Sequence, residues 1–229
     1  MATVQVVGYA RTTSGSQIPL STAAVEGTET TITTDSVITT TAQDLGTYMP
    51  GTTVVALELS AVNGISYAYI LRQGVILAWG SVNVNGVNNK EMMLCTPVVL
   101  RPGDQVRCLA LAAASKNVAL CTYTNQGTSR IFIGTVSGSS ATTTTALNDL
   151  QDTNNSIGDT LQGQVIVKAM VTGITPKVLS SMGVWIRNAS GQVAGIVPMS
   201  NPIKVEPMIS NVAIPISLNW TASVYSDES

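Results

Sequence analysis

The chain has 229 residues, 45% of them hydrophobic and only 10% charged, with a net charge of −2. That hydrophobic content, with a positive mean hydropathy, excludes intrinsic disorder as the overall class and allows one large β-domain or two small ones. The 11 Lys and Arg residues are scattered singly, so no basic arm exists to neutralise phosphates, which argues against direct nucleic-acid binding.

With so few charges, the polar surface must come from Thr, Ser, Asn and Gln. Of 29 Thr residues, 15 precede residue 61; Thr is β-branched and suits a pleated strand better than a helix. Residues 1–45 read as a Thr-rich extension, densest over 30–41, forming either an arm or extra edge strands. Its Ile32, Val37 and Ile38 are too few to build a core alone, so pairing with a neighbouring subunit is one way to protect it. The opening Met1-Ala2-Thr3-Val4-Gln5 lacks a signal-peptide pattern, and no run of 18 apolar residues could span a membrane, so cytoplasmic synthesis is expected.

From there, period-2 alternation dominates. Residues 53–59 read as a strand ended by Asn63-Gly64. Residues 67–71 lead through Gln73-Gly74 into 75–79, and Val82 and Val84 alternate up to Asn85-Gly86, a tight-turn signal. Residues 92–100 run to Pro102-Gly103-Asp104, read as a structural turn, after which Val106, Cys108 and Ala110 alternate. Strands over 117–123 and 130–136 flank Asn125-Gln126-Gly127. At least seven strands at such spacing predict a sandwich or jelly roll.

A low-complexity stretch over 138–148 reads as a linker, with one helical turn expected over 146–150. Beyond it, Val165, Val167, Ala169 and Val171 alternate, and Val184-Trp185-Ile186 and 193–197 flank an Asn188–Gly191 hairpin turn. Ile214, Ile216, Leu218, Trp220, Ala222 and Val224 fall on one face of a single half-buried strand. The expected fold is all-β: a jelly-roll or sandwich domain over 46–137, then a smaller β-sandwich over 149–229, preceded by the extended Thr-rich arm. Val106, Phe132, Trp185, Ile214, Ile216, Leu218 and Trp220 are expected as core strand residues.

The segment Val98-Val99-Leu100-Arg101-Pro102-Gly103-Asp104-Gln105-Val106 resembles the L-x-x-G-D-x-V segment of complement C1q/tumour-necrosis-factor-like jelly rolls. Arg130-Ile131-Phe132-Ile133-Gly134-Thr135-Val136 is similar to that family's closing strand, and Tyr67-Ala68-Tyr69-Ile70 to its aromatic early strand. The resemblance covers about residues 50–137. It implies a compact homotrimer with closely spaced termini, of the type found in bacteriophage knobs, decoration proteins and fibre tips.

The catalytic inventory is thin. The chain has no histidine, which removes the commonest general base, the usual Ser and Cys triads and most zinc sites. Cys95, Cys108 and Cys121 are widely spaced with no CxxC pair and read as strand-buried thiols. Asp149, Asp152 and Asp159 form the densest acidic group. Asp152, Asn154 and Ser156 have the spacing of an early EF-hand loop, but Gly falls one place late and position twelve lacks Glu, so an Asx-rich turn is the simpler reading. Trp79, Trp185 and Trp220 read as core packing rather than a sugar-stacking platform.

No catalytic residue, cofactor or metal is therefore expected. The expected function is that of a virion structural protein, a phage capsid decoration, spike or minor capsid subunit. It would self-associate, as a trimer on the resemblance, and add strands to other capsid proteins by β-augmentation. The alternatives are a carbohydrate- or receptor-binding fibre-tip module and a surface-layer or appendage subunit.

Overall fold

The computed structural model describes residues 2–4, 7–21, 25–27, 35–38, 50–59, 64–84, 90–111, 117–135, 146–173, 181–198 and 208–227. The architecture is all-β, and the chain divides into two compact units, Met1–Ala113 and Ala114–Ser229. The sequence had placed the division at a linker over 138–148. It falls earlier because the strands before that stretch hydrogen-bond to strands after it. The residues carrying the jelly-roll resemblance are thus shared between two units.

The first unit contains β1 (Ala2–Val4), β2 (Val7–Thr12), β3 (Gln17–Ser21), β4 (Val25–Gly27), β5 (Asp35–Ile38), β6 (Thr53–Leu59), β7 (Gly64–Arg72), β8 (Val75–Val84), β9 (Lys90–Val99) and β10 (Gln105–Leu111). Two four-stranded sheets run β3-β2-β6-β9 and β5-β10-β7-β8, and β1 pairs with β4. All pairings are antiparallel. The Thr-rich extension is therefore not only an arm: β2 and β3 extend one sheet, and β5 forms an edge of the other. Residues 28–34 and 39–49, with Ile32 and most of the Thr-rich run, lie outside the described residues, as do Asn63 and the Asn85-Gly86 turn.

Gln73 and Gly74 both take positive φ, at 48° and 81°, the pairing a tight two-residue hairpin between β7 and β8 requires. Ala10, Leu57 and Met92 stand in one buried row across β2, β6 and β9. The next row, Arg11, Ala56 and Met93, uses its small central residue differently. Arg11 reaches over the buried Ala56 to donate from Nε and Nη2 to Glu91 on β9, both at 2.8 Å. Where β8 meets β9, Gly80 is required: a Cβ there would lie 2.7 Å from Met92 Sδ and 3.0 Å from the Met93 carbonyl oxygen.

The second unit contains β11 (Asn117–Thr124), β12 (Ser129–Thr135), β13 (Ala146–Asp149), α1 (Ile157–Leu161), β14 (Val165–Gly173), β15 (Ser181–Arg187), β16 (Val193–Pro198), β17 (Ser210–Pro215) and β18 (Thr221–Asp227). Its eight strands make one antiparallel sheet in the order β16-β15-β18-β13-β12-β11-β14-β17. The sheet curls into a near-barrel whose two end strands touch through Gly195 and Ile214. Val118, Leu120, Phe132, Leu147, Ile166, Val171, Val184, Ile186, Val197, Ile214, Ile216, Ala222 and Val224 form the core, joined by Ile157 and Leu161 of α1. Strands β11 and β12 are buried on both faces, since Ala119, Cys121 and Ile131 are also fully covered. Their sequences accordingly read as continuous apolar runs.

Three expectations change here. Residues 146–149 form β13, not a helical turn; α1 starts at 157 because Ser156 and Asp159 make a reciprocal capping box around its N-terminus. The single strand expected over 214–225 is two strands, β17 and β18, separated by a turn at Leu218 and Asn219, where Asn219 has φ +62°. Leu218 is consequently 49% exposed rather than in the core, and Trp220 packs against the core only in part. Third, Trp185 leaves the core face altogether, since its neighbours Val184 and Ile186 occupy it.

Candidate functional site

The Pro102-Gly103-Asp104 turn joins β9 to β10 and is built around a buried carboxylate. Gly103 has φ +89°, and the Asp104 amide donates to the Arg101 carbonyl at 3.1 Å. Asp104 Oδ1 and Oδ2 accept from Arg72 Nε and Nη2 at 2.7 and 2.6 Å, and Oδ2 also accepts from the Arg101 amide at 2.8 Å. Arg72 Nη2 donates as well to the Val99 carbonyl at 2.8 Å. The hydrogen bond to Asp104 raises the Arg72 pKa, desolvation opposes the rise, and the opposite charge adds to it. A bidentate pair of this kind fixes geometry. Its groups all point inward to the turn, so it clamps the β7–β8 corner to the β9–β10 corner. Val106 pairs with Ile38 and Ile70 within β10; its side chain lies outside the described residues, as does that of Cys108, whereas Cys95 and Cys121 are buried.

The acidic segment also resolves into structure. Asp152 Oδ1 accepts from the Asn154 amide at 3.2 Å, and its carbonyl accepts from the Asn155 amide at 2.9 Å, which is an Asx-type turn. Asp149 is buried; its Oδ1 accepts from the Gln151 amide at 2.9 Å and its Oδ2 from Thr160 Oγ1 at 3.2 Å. Arg130 Nη1 donates to Gln151 Oε1 beside it. Asp159 Oδ2 accepts from the Ser156 amide and hydroxyl at 2.8 and 2.7 Å, and these bonds, the hydroxyl first, lower its pKa. Among the described residues no group of three Cys, Asp or Glu side chains is placed to hold a metal ion.

The tryptophans separate into three environments. Trp79 is wholly buried in the first unit and Trp220 is partly buried against the second core. Trp185 stands on the outer face of the β16-β15-β18 ladder, paired with Ile196 on one side and Ser223 on the other. The Arg187 guanidinium lies 4.7 Å from the centroid of its ring. Arg187 is itself fixed: Nη1 donates to the Gly191 carbonyl at 2.8 Å and Nε to Ser223 Oγ at 3.3 Å. Gly191 belongs to the β15–β16 hairpin, where Asn188 Oδ1 accepts from the Ser190 and Gln192 amides. Beside this stack Ile196 is 50% exposed, and Ala194 and Pro198 are exposed too.

This face combines an ordered Trp–Arg pair with open aliphatic groups. The guanidinium covers an indole face that a sugar ring would use for stacking. Sequence reasoning missed Arg187 and Ile196. Their signal was available: in Val184-Trp185-Ile186-Arg187, alternation with two β-branched residues on the core face sends Trp185 and Arg187 outward together. Phe132, Ile214 and Ile216 stand in the core of the same unit but do not meet at this face. Compared with known protein families, curated proteins and solved structures, the chain matches none.

Proposed function

We propose that this chain is a structural subunit of a virus particle, a capsid-decoration, spike or minor capsid component that acts by burying β-surfaces against copies of itself and against other capsid proteins. The observation that carries the reading is the outer face at Trp185, Arg187 and Ile196. A solvated sheet face is usually polar, whereas this one exposes Ala194, Ile196 and Pro198 in succession. The low charge of the whole chain supports it as well, since hydroxyl and amide surfaces cost less to desolvate than Lys and Glu. The absence of histidine removes the commonest general base.

A fibre-tip module that binds a receptor or glycan is the second reading; it would engage the partly exposed part of Trp185 that Arg187 does not cover. Co-sedimentation separates the two. Mixed with candidate capsids, a structural subunit pellets with particles at a fixed stoichiometry; binding to glycan arrays without particle affinity would favour the tip instead.

A further inference from the structure

Strands β16 and β17 stand at the two ends of an eight-stranded sheet in which every pairing is antiparallel. An even count sends the first and eighth strands in opposite directions, so an antiparallel ladder between them would close the barrel fully. Among the described residues no backbone hydrogen bond joins the two strands. Proline explains the gap. Val165 turns both its polar groups toward Asn125: its amide donates to Asn125 Oδ1 at 3.0 Å, and its carbonyl accepts from the Asn125 amide at 2.9 Å. Its partner across the ladder, Pro215, therefore faces away from β14 and into the seam, while Ile216 turns back to bond Gln164 and Gly163. On β16 the same alternation starts at the hairpin, where the Asn188 amide donates to the Gln192 carbonyl at 2.9 Å. Carried past the register shift at Arg187, it gives the ladder bonds to the Val184–Val197 pair. Pro198, opposite Gly183, is left facing the seam. With Gly195 against Ile214, the two prolines lie on opposite sides of that contact, and each removes a donor.

Side chains hold the seam weakly as well. Val197 is the one buried side chain of β16, and Ile214 the one buried side chain of β17. In β11, by contrast, Val118, Ala119, Leu120, Cys121 and Thr122 are all buried. The inner strands keep a ladder on both sides, whereas β16 and β17 keep one each. Few buried contacts and a single ladder put a segment at the low end of local stability.

We infer that the second unit opens along the β16–β17 seam as a local event, with β11 and β12 still folded. Native-state hydrogen exchange of the full chain, followed residue by residue by NMR across denaturant concentrations, tests this. The amides of Val197 and Ile214, both in ladders, are expected to exchange at least about tenfold faster than those of Leu120 and Phe132, through openings that denaturant barely accelerates. Gly195→Cys combined with Ile214→Cys sets a disulfide across the seam, since the second substitution removes the atoms that crowd a Cβ at 195. Closing that disulfide is expected to slow exchange at Val197 at least about tenfold, and reduction to restore it. Equal protection and equal denaturant dependence at Val197, Ile214, Leu120 and Phe132 would overturn the inference. So would a closed disulfide that leaves exchange at Val197 unchanged. If the disulfide does not form, the wild-type comparison decides.

Discussion

A Cβ placed on Gly195 would lie 2.9 Å from both Cδ1 and Cγ2 of Ile214, so the two end strands of the eight-stranded sheet approach closely only because residue 195 has no side chain. Those strands share no hydrogen-bond ladder, and this packing closes the near-barrel. Gly195→Val should force the seam open and destabilise the second unit by about 1–3 kcal/mol, as overpacking typically does. Chemical denaturation followed by near-ultraviolet circular dichroism checks it; an unchanged midpoint would show that Ile214 moves aside at no cost.

The Arg72–Asp104 pair predicts a second outcome. Asp104 is fully covered while the Arg72 side chain is 23% exposed. Asp104→Ala therefore leaves a cation that water can still reach, and the loss should be smaller than for a fully buried pair, about 1–3 kcal/mol. Denaturant midpoints of Asp104→Ala and Asp104→Asn measure it. The Asn variant should retain part of the stability through its acceptor to the Arg101 amide.

Acid should loosen the start of α1. The Ser156 hydroxyl and amide hold the folded Asp159 pKa below its ordinary value, so the folded state binds this proton less readily than the unfolded state. The contribution is present above the unfolded pKa and is lost as pH falls through the folded one. Carboxyl-detected NMR titration should show the Asp159 midpoint moving upward in Ser156→Ala. A midpoint unchanged by that substitution would remove the hydroxyl as the cause.

The interruption between β17 and β18 makes neighbouring leucine and isoleucine behave oppositely. Leu218→Ser should change stability by no more than about 0.5 kcal/mol, because the side chain is half exposed at the turn. Ile216→Ala should cost about 2–5 kcal/mol, because it empties part of the core. Asn219→Val should cost about 1–2 kcal/mol, since a β-branched residue resists the left-handed backbone found there. Equal losses at 216 and 218 would restore the uninterrupted strand.

Much of the fold was legible locally. Gln73-Gly74, Gly127 and Gly191 mark turns because positive φ is needed there, and all three adopt it. Alternation located most strands because one face of each is buried. What alternation lacks is partner choice: nothing in residues 117–135 states that β11 will pair with β14 rather than with an earlier strand, so the unit boundary was misplaced. Alternation also continues through a turn when the residues on both sides of the break happen to keep phase, as Ile214, Ile216, Leu218 and Trp220 do. Trp185 was misread because it lies within the apolar run Val184–Ile186, whereas Val184 and Ile186 already occupy the core side.

The central claim, that this protein works by associating with itself and with a particle, is tested most directly by sedimentation equilibrium of the purified full chain over a wide concentration range, followed by its retention on candidate capsids. The account predicts a mass rising to a fixed multiple of 23.8 kDa and saturable retention on a particle. A mass of 23.8 kDa at every concentration, with no retention on any particle, would contradict it.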